Sequence, residues 1–214
     1  TGFWTSLQVA VAATVIGLLI AVPASLILAR RQFAGSAALS QFLLLPLVVP
    51  GVVMGTSIYV FQIETEIATG LPILGSVGGL VAGHTLLVIP WTVRLVTASL
   101  TGLDRAAEEA AQSLGASSFK AVLYVTLPQL APSLYSAAFL AFIASFDELV
   151  VSMFLSGSFK TLPKKMFDNI LVEIDPTIAA VSVLKVVAVL ILFSIVMRKG
   201  SGAESPFASK KSNP

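Results

Sequence analysis

The sequence has no cysteine and few charged residues. The absence of cysteine among its 214 residues excludes disulfide bonds and thiolate metal ligands. Charged residues make up 11% of the chain, whereas a soluble domain carries about a quarter. Hydrophobic residues make up 56%, and the mean hydropathy is +0.94. These polar residues are too few to cover the surface of a water-soluble globule. We therefore expect the chain to be embedded in lipid.

The sequence also lacks several motifs of enzymes and of nucleotide-binding proteins. No G-x-x-x-x-G-K-[ST] phosphate loop occurs, so the chain is not expected to bind ATP itself. No G-x-S-x-G motif occurs, which disfavours an intramembrane enzyme that pairs His84 with a carboxylate. His84 is the single histidine and has no partners at ligand spacing, so we expect a hydrogen-bonded histidine near the interface and no metal site. The net charge of +2 disfavours nucleic-acid binding.

Five apolar stretches are long enough to cross a bilayer as helices, since each crossing needs about 20 residues. They cover approximately residues 6–29, 39–61, 79–100, 133–156 and 177–197. Pro46, Pro50 and Gly51 interrupt the second stretch, which predicts a bent or partly unwound helix there. The chain starts at Thr1 without a methionine, so we expect an N-terminal piece before it. The predicted fold is an all-α, polytopic membrane helix bundle over residues 1–199.

Lysine and arginine in the short loops predict the orientation of the spans. Eight of these residues are expected on one side and three on the other, which places the first set in the cytoplasm: Arg30, Arg31, Arg105, Lys120, Arg198, Lys199, Lys210 and Lys211, against Lys160, Lys164 and Lys165. The cytoplasmic side then holds loop 101–132 and the tail 200–214, whose composition predicts disorder. Segment 157–176 lies outside, as does Thr1, and has the apolar spacing of an amphipathic helix.

The cytoplasmic loop contains the longest polar-tolerant segment, residues 109–128, which reads EAAQSLGASSFKAVLYVTLP. Good helix formers precede Gly115, which permits a bend. A second short helix is predicted from about Ser117 to Thr126, ended by Pro128. Helix, bend and helix form an exposed elbow to which a partner protein can bind. An ordinary interhelical loop remains the alternative, because it has a similar composition.

The spacing within this elbow carries a family resemblance. The segment follows the pattern Glu109-Ala110-Ala111, three residues, Gly115, nine residues, Val125, any residue, and then Leu127-Pro128. This pattern resembles the EAA loop of ABC-importer permeases, with Val125 where isoleucine is usual. The stretch LPLVVPG at 45–51 resembles the second-core-helix signature of the same family. Further stretches resemble its spermidine/putrescine branch: SFDE at 145–148, TLP at 161–163, MF at 166–167 and PTIAA at 176–180. Permeases for ferric iron, thiamine or opine-like compounds share much of this pattern.

The resemblance implies a type I ABC importer permease in the bacterial cytoplasmic (inner) membrane. Because permeases of this family commonly have six spans, it also implies one span before Thr1 in addition to the five present. Its expected cargo is a small cationic solute, such as the polyamines spermidine or putrescine. ATP and Mg would be bound by a separate ABC ATPase dimer, so this chain is not expected to be an enzyme or to hold a cofactor. The other implied partners are a second permease subunit, expected to be a homologue, and an extracytoplasmic solute-binding protein. The ATPase-coupling role is carried over to Glu109, Ala110, Ala111, Gly115, Leu127 and Pro128.

Asp147 and Glu148 are two acidic residues within the predicted fourth span. A carboxylate in the hydrocarbon costs about 2.5–3.5 kcal/mol on insertion scales, so it normally faces a cavity or a partner. One acid can line the path of a polycation while the other pairs with Lys185, which lies at a similar predicted depth in the fifth span. A purely structural pairing remains the alternative for these acids. A proton-coupled secondary transporter, energised without ATP, can also use them.

Overall fold

The computed structural model describes residues 2–31, 33–172 and 177–201. All regular structure in these ranges is helical. A 3-10 turn, Leu45–Leu47, follows the second α-helix, and a π-helical turn, Val122–Thr126, precedes the seventh. The α-helices are α1 Gly2–Arg30, α2 Ser36–Leu44, α3 Gly51–Thr69, α4 Val77–Gly102, α5 Ala106–Ser113, α6 Ser118–Ala121, α7 Leu127–Phe146, α8 Val150–Leu155, α9 Leu162–Val172 and α10 Thr177–Ser201.

Four helical segments in the described part of the chain are long and apolar enough to cross a membrane: Gly2–Arg30, Val77–Gly102, Ser118–Phe146 and Ala179–Val196. A fifth crossing is present if the bent pair Ser36–Leu47 and Gly51–Thr69 is one span. The two halves of this pair meet at an angle of 104°. Pro50 has an extended ψ of 136° at the break. Because proline disfavours the helical conformation of the residue before it and lacks an N–H, the sequence breaks this helix as predicted.

Helices α1, α4 and α7 pack together along the middle of the bundle. Val96, Leu100, Leu130 and Ala137 form one buried cluster between them. The helices approach closely where side chains are small, as membrane helices do. A Cβ added to Gly17 of α1 would lie only 2.5 Å from a methyl group of a valine on α4. Much of the remaining helix surface is apolar and exposed, as expected for a surface in contact with lipid.

The two ends of the bundle are distinct. At one end, Arg105 donates a hydrogen bond from Nη2 to the carbonyl of Ala29 over 2.9 Å. At the other end, the Leu162 N–H donates to Ser6 Oγ over 2.8 Å, and Gly75 lies against the backbone of Gly157. The basic residues had predicted the cytoplasm for the first of these ends and the outside for the second.

The predicted fourth span, residues 133–156, requires correction. The helical segment begins at Ser118 and ends at Phe146. Pro128, which was predicted to end a short helix, instead lies in the first turn of α7. The preceding π-helical turn changes the hydrogen-bonding register, and a proline in a first turn has no N–H to satisfy. Loop 101–132 therefore passes into the membrane helix without interruption.

The outer amphipathic segment contains α9, which covers Leu162–Val172. Leu162, Met166 and Phe167 are half-buried, whereas Ile170 and Leu171 are exposed. The predicted apolar face continues to residue 174, which lies outside the described residues. Helix α10 continues to Ser201, two residues into the predicted tail, and the tail from 202 onward also lies outside the described residues.

Candidate coupling elbow and translocation site

The elbow is a helix end with a defined cap. Helix α5 ends at Ser113, and Gly115 follows with a φ of +93°. The Gly115 N–H donates to the carbonyl of Gln112 over 2.9 Å, and the Ala116 N–H donates to the carbonyl of Ala111 over 3.0 Å. These two bonds and the glycine form a Schellman motif. Since L side chains rarely adopt this φ, Gly115 fixes the angle between α5 and α6.

The elbow presents an apolar surface to solvent. Leu114 is 90% exposed, Phe119 75% and Tyr124 72%. Glu109 and Ala110 are also exposed, and α5 has no buried residue. Large apolar side chains clustered in one exposed loop are typical of a protein interface.

The remaining residues of the predicted coupling set have a different environment. Ala111 is half-buried. Leu127 is also half-buried and packs against the cluster of Val96, Leu100, Leu130 and Ala137, and Pro128 is exposed in the first turn of α7. Leu127 therefore joins the elbow to the core of the bundle, while Glu109 and Ala110 lie on the exposed surface.

Asp147 and Glu148 lie in a break between α7 and α8, and not within a continuous helix. The Asp147 carboxylate forms an ion pair with Lys185 of α10. Its side chain is nevertheless 61% exposed, whereas that of Lys185 is 21% exposed. Glu148 Oε1 accepts a hydrogen bond from the Val151 N–H over 2.9 Å and so caps the start of α8. The two acids thus have separate roles, and Asp147 is the one with an accessible carboxylate.

The sequence did not predict the buried polar cluster that supports this break. His84 is fully buried, and its ring is hydrogen-bonded as expected. Its Nδ1 lies 2.9 Å from Ser145 Oγ and 3.1 Å from the Ser145 carbonyl, and its Nε2 lies 3.0 Å from Ser152 Oγ. The Ser152 hydroxyl also donates to the carbonyl of Glu148 over 3.0 Å, so the tautomer of the ring sets the direction of its contact with Nε2. A signal was available in the two serines, which flank the acidic pair seven residues apart.

The described residues hold no group of three or more His, Cys, Asp and Glu side chains that could bind a metal ion. At the end that the basic residues predict to lie outside, Asp168 of α9 pairs with Lys160, whose Nζ lies 2.7 Å from Oδ2, and with Lys164. The hydrogen bonds from Lys160 and then Lys164 lower the pKa of the Asp168 carboxyl. A cavity of about 430 Å³ lies beside Lys160 and Asp168 and is lined in part by Gly2 and Thr5. This end therefore presents a charged, concave surface.

Comparison with known proteins identifies relatives of this chain. The family described as "Binding-protein-dependent transport system inner membrane component" matches residues 10–199. The putrescine transport system permease protein PotI of Escherichia coli (strain K12) is 31% identical over 181 residues, which are 84% of this chain and 64% of PotI. The chain thus spans slightly less than two thirds of the length of that relative. The molybdenum transport system permease protein ModB of Mycobacterium bovis is 32% identical over 219 residues, which are 96% of this chain and 81% of ModB.

The fold also matches a solved membrane protein. A chain in an inward-facing structure of the MetNI methionine ABC transporter superposes with a TM-score of 0.78 at 19% identity, and the match covers 95% of each chain. At this identity the likeness describes the fold alone. The predicted fold, an all-α membrane bundle of the type I importer permease kind, is confirmed.

Proposed function

We propose that this chain, which belongs to the family of binding-protein-dependent transport system inner membrane components, forms the membrane path of an ATP-driven importer. The family membership and the inner-membrane location are as predicted from the sequence. In this proposal ATP and its Mg are bound by a separate ATPase dimer. A second permease subunit, expected to be a homologue, completes the path, and an extracytoplasmic solute-binding protein delivers the cargo.

The exposed elbow supports the proposed coupling to an ATPase. Its angle is fixed by the Schellman motif at Gly115, and its surface carries Leu114, Phe119 and Tyr124. A rigid, exposed apolar surface loses little conformational entropy when it docks, which favours binding. Glu109 and Ala110 lie on α5, the helix that precedes this surface, and both are exposed.

The proposed cargo is a polyamine, and the observation that carries this proposal is the net negative charge at the helix break between α7 and α8. Lys185 lies eight residues into α10, which is about 12 Å of helical rise. Asp147 pairs with it, so its exposed carboxylate lies at a similar depth. Two carboxylates and one ammonium leave one net negative charge at the break in the helix. Such a charge attracts a cation and repels an oxyanion.

The relative ModB supports a second candidate cargo, a molybdenum-containing anion. It is about as identical to this chain as PotI and covers more of it. The charge at the helix break favours the polyamine. Lys185 provides the positive charge that an anion needs, but the ion pair with Asp147 already neutralises it.

Uptake into proteoliposomes tests the proposal. The tagged chain is purified with the subunits that co-purify with it and is reconstituted with ATP enclosed. Radiolabelled putrescine and molybdate are supplied outside, each with a purified solute-binding protein that binds it. We expect putrescine uptake that requires ATP and persists when a protonophore collapses the proton gradient.

Each other outcome contradicts a defined part of the proposal. Uptake that stops with the protonophore while ATP remains would indicate a proton-coupled secondary transporter. Uptake of molybdate without putrescine would replace the polyamine with the oxyanion. Accumulation of neither solute, with ATP hydrolysis intact, would refute both cargo assignments.

A further inference from the structure

We propose that Glu108 and Arg30 are positioning residues that connect the elbow to α1, so that a movement of the elbow reaches the first span directly. This inference rests on the proposed function, because it concerns how the elbow transmits the work of an ATPase. Glu108 precedes the Glu109-Ala110-Ala111 stretch and was not among the predicted site residues. Arg30 is the last residue of α1.

The first observation is the environment of the Glu108 carboxylate. Arg30 Nη2 lies 2.8 Å from Glu108 Oε2. The Thr126 hydroxyl donates to the same oxygen, also over 2.8 Å. One oxygen atom of α5 is therefore bound both by the end of α1 and by the π-helical turn that leads into α7. The Arg30 and Glu108 side chains are 14% and 15% exposed, so water screens their interaction less than that of a surface ion pair.

The second observation is a reciprocal bond in the opposite direction. Arg105, at the N-cap of α5, donates from Nη2 to the carbonyl of Ala29 over 2.9 Å. This carbonyl belongs to the last turn of α1, where carbonyl groups lack partners within the helix. Both arginines also place positive charge at the negative end of the α1 dipole. An arginine from each helix thus binds the other helix.

The third observation is that α5 is held to the bundle without a buried side chain. None of its residues is buried, so burial of apolar surface contributes little to its position. Charge-assisted hydrogen bonds are stronger than neutral ones and define direction. The position of α5 relative to α1 therefore depends mainly on the bonds of Glu108 and Arg105.

The contact continues from the end of α1 into the core. Val22, Leu26 and Ala29 of α1 pack against the cluster of Val96, Leu100, Leu130 and Ala137. A displacement of α5 thus pulls on α1 as well as on α4 and α7, to which the chain joins it. Adjacent helical residues differ in direction by about 100°. The two acids of α5 are accordingly divided, with Glu108 directed inward and Glu109 exposed.

The test measures uptake and ATP hydrolysis on the same proteoliposomes of the full complex. The variants are Glu108→Gln, Arg30→Gln and the exchanged pair Arg30→Glu/Glu108→Arg. Glu64→Gln is the matched control, since Glu64 is exposed on α3 near the outer end. We expect each single variant to retain ATP hydrolysis while the uptake per ATP falls about fivefold or more, the lower range of a typical coupling factor. The exchanged pair should recover at least half of this loss, because the Thr126 hydroxyl can accept a bond from arginine as well as donate one.

A second readout separates this positioning role from docking and from the proposed function itself. In the isolated full chain in detergent, Glu108→Gln should increase amide hydrogen exchange in residues 106–113, and Glu64→Gln should not. Glu109→Gln should reduce co-purification of the ATPase, whereas Glu108→Gln should leave it intact. If the unaltered complex transports no solute, the proposed function fails, and the exchange result still decides the inference. If exchange and the uptake-to-ATP ratio are unchanged in Glu108→Gln, or if the exchanged pair is no better than the single variants, the inference is wrong.

Discussion

Replacement of Gly115 by alanine should weaken the association of this chain with its ATPase without disturbing the membrane bundle. Gly115 has a φ of +93°, and a Cβ added there would meet no atom within 4 Å. The change therefore causes no steric clash, and its whole cost comes from the backbone. An L residue in a left-handed conformation costs about 1–2 kcal/mol. If the elbow keeps its native angle only part of the time, the apparent affinity falls by up to about 5- to 30-fold.

The chain offers a matched control for this substitution. Gly102 also has open space around its Cα, but its φ is not positive, and it ends α4 a few residues before the elbow. Gly102→Ala should leave the affinity unchanged. Gly115→Asn should lie between the two, because asparagine tolerates the left-handed region better than alanine. Affinity is measured by titrating the purified ATPase subunit against the chain in detergent, and membrane insertion is checked by circular dichroism and by yield.

One result would refute this reasoning. If Gly115→Ala and Gly102→Ala bind the ATPase equally well, the capped geometry of the elbow is not required for docking. If Gly115→Ala instead lowers the yield of folded protein, the glycine contributes to the stability of the bundle.

Three further predictions concern other parts of the molecule. Lys185→Met should lower putrescine uptake, and the added change Asp147→Asn should restore most of it while Glu148→Gln should not, since only Asp147 pairs with Lys185. His84→Ala should lower the free energy of unfolding in detergent by about 1–3 kcal/mol, because it leaves the buried Ser145 hydroxyl without its partner, and His84→Gln should lose less. Acidification should destabilise α9 only below the ordinary pKa range of an aspartate carboxyl, and hydrogen exchange measures this change. The reason is that the folded-state pKa of Asp168 is lowered, so its stabilisation is lost as the pH falls through that lowered value.

Each of these predictions has a contradicting outcome. Equal rescue of Lys185→Met by both acid changes, or by neither, would show that the ion pair is not what limits transport. If the His84→Ala protein is as stable as the unaltered chain, the polar cluster does not stabilise the helix break. Lys160→Met with Lys164→Met should remove this acid dependence of α9, because the folded-state pKa of Asp168 then returns to its ordinary value, and an unchanged acid dependence would mean that the pairing does not stabilise this helix.

The sequence alone determined that this protein lies in lipid and where along the chain most of its helices lie. Long apolar stretches allow no stable alternative to membrane helices, because unpaired backbone groups are too costly in lipid. The breaks at Pro50 and Gly115 were also predicted, since proline and glycine act through the local backbone. The prediction failed at Pro128, where a π-helical turn provides the register that allows the helix to continue.

Only the tertiary structure decided which polar groups meet. Arg105 and Ala29 are 76 positions apart in the sequence, and His84 and Ser145 are 61 apart, so no local pattern predicts either contact. The pairing of Lys185 with Asp147, rather than with Glu148, depended on a break in the helix that hydropathy does not reveal. Hydropathy measures transfer into lipid residue by residue, whereas a hydrogen bond in the bundle requires two helices to bring their donor and acceptor to the same depth and the same face.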